Sequence, residues 1–430
     1  MPLQQPVIQS YIDILHEELL TAMGCTEPIA IAYAASILRK TLGNKPTQIK
    51  AKLRGNILKN VNSVIVPATG GLRGIEAAVA AGVIAGRPEK MLEVLSVLTP
   101  EDKNAINAYL AECAITVTEM ETIHPFDLQL SGMAGDDTAA VHICKNHTNV
   151  VSVTCNDTDV TAQFLRQMHN QEPALTDRST LNVKDIVTFA METPLQPLQC
   201  LLQQQIEMNM AIAEEGMRGN YGACIGKVLY GNGNISVKDK ARAYAAAGSD
   251  ARMSGCEMPV CIISGSGNQG ITASVPVVVY ARELGKTNEQ LLRALIVSDL
   301  ITVHLKTGIG CLSAYCGAIS AGCGCAAGIC CLLGGGYDEI AHTVVNAVAI
   351  LSGTICDGAK PSCAAKIAMA VEAGIMGYEM MRAGNQFYGG DGIITKGVEN
   401  TIRNIGRLAK DGMWQTDKEI ISIMLGTSDC

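Results

Sequence analysis

From Thr307 to Tyr337 the chain carries no charged residue, and the stretch reads TGIGCLSAYCGAISAGCGCAAGICCLLGGGY. A second uncharged run covers Ile340 to Cys356, counting His342 as neutral. Segments this long and this apolar have two physical solutions, a membrane span or a helix buried in a protein core. Glycine, alanine, serine and cysteine dominate here rather than leucine, isoleucine and phenylalanine, and neither an aromatic belt nor a lysine-rich flank brackets the runs. The pattern therefore predicts closely packed buried helices. A small-residue membrane carrier is the rival reading.

The rest of the composition agrees with a soluble protein. The chain has 430 residues, 48% hydrophobic and 17% charged, enough for the cores of two or three domains. A net charge of −8 with no run of lysine or arginine gives no footprint for nucleic acid or an anionic membrane surface, so a small molecule is the expected partner. The start, MPLQQPVIQSYID, has no basic region followed by an apolar stretch, and a cytoplasmic location is expected. The 17 cysteines are odd in number, scattered and set in a large core, which predicts reduced thiols rather than a disulfide scaffold. A homo-oligomer is compatible with all of this, and the sequence does not fix the assembly.

The expected fold class is α+β, a mixed α/β middle region followed by a mainly helical C-terminal catalytic region with small-residue-rich buried helices. Residues 7–42 read as a helical pair. Strands are predicted in TQIKAKL, VNSVIVPATG, LEVLSVL, AITVTEMETI, TAAVHICKN and VVSVTCND, with a helix in LRGIEAAVAAGVIAG. Helical patterns dominate beyond STLNVKDIVTFAMETP. The domain organisation that follows is an N-terminal helical pair over 1–44, an α/β domain over 45–185 and a helical domain over 186–430.

Within the N-terminal pair, Gly24 breaks the first helix, Thr26 can cap the next, and Glu27 and Pro28 suit its first turn. Cys25 is thereby placed at a helix N-terminus, where unpaired N–H groups favour a thiolate and lower the thiol pKa, fitting it as a base or a metal ligand. The plainer reading is a small apolar residue filling a helix junction. In SGTICDGAKPSCAAK, a turn at Asp357 and Gly358 separates Cys356 from Cys363, which is placed in the first turn of a new helix. One tight loop thus carries two thiols that can hold corners of an iron–sulfur cluster. The cysteines at 323, 325, 330 and 331 read as core packing.

CIISGSGNQGITASVPVVV gathers Ser264, Ser266, Asn268 and Gln269 among glycines, a composition that can hold a carboxylate or phosphate. Upstream, Asp250 and Arg252 of SDARM are placed either to pair with each other or to take a substrate's ammonium and carboxylate, and Arg252 suits bidentate carboxylate recognition. The same SGSGNQG loop looks like the cofactor cradle of pyridoxal-phosphate lyases, with Lys238 or Lys240 as the Schiff-base lysine. Neither lysine has the local setting those enzymes use. Histidines 124, 142, 304 and 342 read as surface or satisfied core residues.

Taken in order, GCTEP, NILKN, VPATGG, HTN, SDARM, SGSGNQGITA, LSAYCGA and ICDGAKPSC resemble the L-cysteine desulfidase family, relatives of the iron–sulfur L-serine dehydratases, from about residue 10 to residue 425. The resemblance implies a 4Fe–4S cluster on Cys316, Cys356 and Cys363, with one iron open to substrate. It makes Cys25 the acid/base residue; an equally arguable assignment makes Cys25 a ligand in place of Cys363, and Cys311 competes with Cys316. Candidates for orienting the substrate are Asn56, Lys59, Asn60, His147, Thr148, Asn149, Arg252, Ser264, Ser266 and Asn268. The implied reaction eliminates sulfide from L-cysteine to give pyruvate, ammonia and hydrogen sulfide, and the same arrangement can expel water from L-serine. Cys430 is reminiscent of a C-terminal cysteine that caps the free iron in related dehydratases, although a disordered terminus is the plainer expectation.

Overall fold

The computed structural model describes residues 3–124, 126–168, 175–232, 235–310 and 312–426. The architecture is α+β, as the sequence led us to expect. Strands are β1 (Thr21–Met23), β2 (Gln48–Leu53), β3 (Ala114–Glu119), β4 (Asp127–Ala134), β5 (Asp137–Cys144), β6 (Val150–Cys155), β7 (Thr158–Asp159) and β8 (Pro259–Cys261). A six-stranded sheet runs in the order β3-β2-β4-β5-β6-β7, and only β2 and β3 are parallel. Its core face alternates cleanly along β2, where Ile49, Ala51 and Leu53 are buried and Gln48, Lys50 and Lys52 exposed. Helix Thr26–Leu42 packs on that face, and helix Gly74–Ala85 packs on the helix.

Two predicted strands are absent. VNSVIVPATG forms turns with one bridge from Ile65 to Arg73, and LEVLSVL belongs to a 3-10 turn and the bends after it. Their apolar residues are buried without pairing in the sheet, Val64 and Val66 in the first and Leu92, Val94 and Leu95 in the second, and the 3-10 turn packs on helix Thr26–Leu42. The strand with no clear signal, β4, carries Ser131 and Gly132, which dilute its β character, yet it sits between β2 and β5.

Beyond residue 183 the chain is mainly helical, with β8 the one strand among the described residues. Helix Gly317–Leu332, the heart of the uncharged run, is buried along almost its whole length between Asn288–Ile309, Gly267–Glu283 and Cys363–Arg382. Small residues permit that approach: a Cβ on Gly324 would lie 2.0 Å from Thr302 Oγ1. No helix among the described residues is long and apolar enough to cross a membrane. The antiparallel pair β1–β8 matches Thr21 with Cys261 and Met23 with Pro259, joining the segment before Cys25 to the segment before the SGSGNQG loop.

Candidate functional site

Four cysteines from three distant segments line one pocket. Cys25 is the N-cap of helix Thr26–Leu42, Cys316 is the N-cap of helix Gly317–Leu332, and Cys363 is the first residue of helix Cys363–Arg382. Cys356 lies beside Cys316 because the two loops form an antiparallel bridge, Tyr315 opposite Ile355. The Cys316 N–H donates to Thr354 O at 3.1 Å and the Cys356 N–H to Ala314 O at 2.6 Å. All four line a cavity of about 100 Å³ with Lys59, Asn60, Arg252, Ser266, Asn268 and Gln269.

Two glycines make this convergence possible. Gly24 has φ +65°, and a Cβ there would fall 2.0 Å from Pro67 Cγ, so only glycine turns the chain from β1 into Cys25. Gly358 has φ +95°, and a Cβ would fall 2.4 Å from Lys59 O. That contact presses the Cys356–Cys363 turn onto helix Gly55–Val61, from which Lys59 donates to Cys356 O at 3.1 Å. The same ammonium donates to Asp417 Oδ1 at 2.6 Å.

The expected lowering of the Cys25 pKa does not occur. Burial drives the thiol well above its ordinary value, the Glu27 charge adds to the rise, and Arg252 only partly opposes it. Desolvation outweighs the helix terminus. Cys25 is a thiol that donates to Glu27 Oε2 at 3.1 Å. Glu27 also accepts from Thr26 Oγ1 at 3.1 Å and from Asn60 Nδ2 at 2.8 Å. Burial alone would raise Glu27, but His147, the Cys25 thiol and Asn60 together hold it below the ordinary carboxylate value. Burial likewise pushes Cys316 up to about 12, with Cys356 and Cys363 adding to the rise and Lys366 opposing it.

Of the residues singled out in the sequence, Cys25, Lys59, Asn60, Arg252, Ser266, Asn268, Cys316, Cys356 and Cys363 share the pocket. His147, Thr148 and Ser264 line a neighbouring cavity. Asn149 donates to Cys144 O at 2.9 Å, and Asn56 faces a groove beside Arg54 and Trp414. Asp250 does not pair with Arg252: it accepts from the Gly226 N–H at 3.0 Å, and burial raises it to about 6. Cys311 and Cys430 lie outside the described residues. Lys238 pairs with Glu372 and Glu379 and Lys240 with Glu283, away from the glycine-rich loop, which removes the Schiff-base lysine from the pyridoxal-phosphate reading. His142 and His304 are satisfied by Asp127 and Glu399, each at 2.7 Å.

The pocket also holds Gln269, noted in the sequence beside Asn268, and Glu27, Lys306, Tyr315 and Lys366, none of which was singled out there as a site residue. Gln269 and Tyr315 stand inside motifs already noted, and Lys366 follows Cys363 by one helical turn, a spacing that marks a shared face. Nothing local announces Glu27 as more than a first-turn carboxylate. Among the described residues, Arg252 Nε, Asn268 Oδ1, Gln269 Oε1 and Tyr315 OH are buried without a hydrogen-bond partner. Unpartnered buried polar atoms converging on a cavity are what a polar ligand would satisfy.

Comparison with known proteins agrees with this geometry. Residues 89–422 match the family described as serine dehydratase alpha chain. The chain is 55% identical over 428 residues to a UPF0597 protein of Desulfitobacterium hafniense, covering 99% of this chain and 98% of the relative. It is 45% identical over 430 residues to a UPF0597 protein of Treponema denticola, covering 99% and 100%, and 38% identical over 425 residues to one of Bacteroides thetaiotaomicron, covering 97% and 98%. With the family match spanning most of the chain and the relatives aligning end to end, the protein belongs to the serine dehydratase alpha chain family and is a serine dehydratase-like lyase.

Proposed function

We propose that the protein is an iron–sulfur lyase that eliminates sulfide from L-cysteine to give pyruvate, ammonia and hydrogen sulfide. The observation that carries this reading is the convergence of Cys316, Cys356 and Cys363 on the wall of the pocket that also contains Cys25. The three thiols fit a 4Fe–4S cluster in residue type, burial and charge: lysines 59, 360 and 366 stand around them to offset thiolates. Cys316, Cys356 and Cys363 would hold three corners, and since Cys316 and Cys363 are raised as free thiols, loading would release protons. When bound, the cluster supplies a Lewis-acidic iron that draws charge from the heteroatom at Cβ.

The remaining work belongs to side chains of the pocket. Arg252 and Ser266 suit the substrate carboxylate, and the unpartnered Asn268 Oδ1 and Gln269 Oε1 suit its ammonium. Cys25 stands where it can move the Cα proton. As the C–H pair becomes the new C=C bond, the Cβ–S bond breaks and sulfur keeps its electrons; the released aminoacrylate tautomerises and is hydrolysed to pyruvate and ammonia. A cavity of about 100 Å³ suits a small amino acid. The family description favours a second reading, L-serine with loss of water by the same arrangement.

Protein purified without oxygen should be brown, should contain iron and acid-labile sulfide, and should form pyruvate from L-cysteine faster than from L-serine. A colourless, iron-free chain with full activity would contradict the proposal. Preference for L-serine would keep the mechanism and change the substrate.

A further inference from the structure

Glu27 is a buried carboxylate whose partners are neutral donors: the Cys25 thiol, the Thr26 hydroxyl and the Asn60 amide. Among the described residues it forms no ion pair with lysine or arginine. Of its three donors the thiol is the most acidic and the only one able to give up its proton in a catalytic cycle. Thr26, which donates both to Glu27 Oε2 and to Gly265 O, links the carboxylate to the backbone against which the buried His147 ring packs, and the His147 charge bears on Glu27. The His147 ring lies 4.7 Å from the Phe126 ring, packs against Gly265, and has an Nε2 atom with no partner among the described residues.

These groups stand between two cavities. Cys25 and Glu27 face the thiol pocket, whereas His147 faces a second cavity of about 460 Å³ walled by Ser264, Gly265, Lys306 and the Glu18–Arg178 pair. Thr26 fixes the partition by donating to Gly265 O at 2.8 Å.

We infer that Cys25, Glu27 and His147 form a proton relay from the thiol pocket to the second cavity, an inference that rests on the lyase reading above. The Cys25 S–H proton passes to a Glu27 oxygen, and the thiolate so formed takes the Cα proton while the substrate's sulfur departs with the Cβ–S electron pair. Cys25 is then a thiol again and Glu27 a carboxylic acid. Glu27 and His147 share no direct hydrogen bond among the described residues, so the surplus proton passes to His147 through water and on to the second cavity, restoring the carboxylate. Glu27 and His147 are thus positioning residues that act through Cys25. Among the described residues the other charged groups lining the pocket with this pair are Arg252, beside Cys25, Lys59, held by Asp417, Lys306 and Lys366.

The test compares the wild type with E27Q, E27D and H147Q, each assayed for iron per chain, turnover of L-cysteine, and the pH dependence of Cys25 alkylation by iodoacetamide, read on its peptide by mass spectrometry. E27Q removes the anion that disfavours the thiolate, so Cys25 should alkylate at lower pH than in the wild type. With no acceptor for its proton, turnover should nonetheless fall about 100-fold or more at unchanged iron. E27D should recover part of the rate, and H147Q should slow turnover while leaving the Cys25 alkylation profile near that of the wild type. Turnover in E27Q that holds or rises as the thiolate becomes easier to form would overturn the relay. So would iron loss in both Glu27 variants, which would place Glu27 in support of the cluster. If the wild type acts on neither L-cysteine nor L-serine the lyase reading fails, but the alkylation shift in E27Q still reports on the pair, and no shift refutes it.

Discussion

The two walls of the pocket use the same residue type in opposite surroundings. On one wall Cys25 sits at a helix start with a buried carboxylate at 3.1 Å, and that carboxylate is held by Asn60 and Thr26. On the other, Cys316, Cys356 and Cys363 crowd one another, with Lys366 lowering and each neighbouring thiol raising the energy of a thiolate. Lysines collect on that side: Lys366 donates to Asp357 at 2.5 Å, and burial together with Lys366 depresses Lys360. The carboxylate beside Cys25 adds to the burial that keeps it a thiol and is at hand as a proton acceptor, whereas the ammonium groups near Cys316 and Cys363 work against the burial that raises those thiols, an arrangement that would favour thiolates on the proposed cluster. Helix N-termini serve both walls, so the terminus cannot be what separates the roles.

The largest effect is expected at Lys59, which belongs to the lysine-rich wall and makes the most deeply buried ion pair among the described residues, with 1% of its side chain exposed. Lys59→Met leaves the Asp417 carboxylate buried without its cation, and unfolding by urea should show a loss of about 3–5 kcal/mol. A loss below about 1 kcal/mol would mean that this cation does not brace the turn carrying Cys356.

The comparison sharpens when Glu27 is set against Asp299, another buried carboxylate. Asp299 has one donor, Gln205 at 3.0 Å, and burial raises it to about 7, whereas three donors and His147 hold Glu27 low. The sign follows from proton binding: between its unfolded value near 4 and about 7 the native state binds more protons at Asp299, so stability falls as pH rises through that window. Asp299→Asn should remove that slope and add on the order of a few kcal/mol at pH 8. Melting curves between pH 4 and pH 8 that remain parallel for the two chains would count against a neutral Asp299.

On the Cys25 wall, Asn60→Ala removes one donor from the Glu27 anion, worth roughly 1.5–3 kcal/mol. Turnover should drop about 10-fold or more with iron content unchanged; iron loss would tie the Cys25 wall to the cluster. The smallest effect is expected at Lys366, whose side chain is 24% exposed and whose pairing with Asp357 contributes under about 1 kcal/mol. Lys366→Met should barely move the melting temperature yet slow alkylation of Cys363, the thiol it helps to ionise.

Much of this was legible in the sequence. The small-residue run announced a buried helix because its composition suits close helix packing and not lipid, and Gly324 against Thr302 shows the approach that composition permits. The turn between Cys356 and Cys363 was legible because glycine and proline punctuate it. What the sequence could not show was set by partners far along the chain. Glu27 reads as a helix-terminus charge until Asn60 and His147 are placed beside it, and the pKa of Cys25 reverses its expected direction because burial is a tertiary property. The apolar alternation of VNSVIVPATG and LEVLSVL looked like strands because an irregular segment that buries alternate residues leaves the same pattern as a strand paired in a sheet.

The division of labour between the two walls is tested most directly by counting iron per chain and turnover side by side in Cys25→Ala and Cys316→Ala, both purified without oxygen. The account expects Cys25→Ala to keep the wild-type iron content and lose turnover, and Cys316→Ala to lose both. Equal iron loss in the two variants would make Cys25 a ligand and contradict the account.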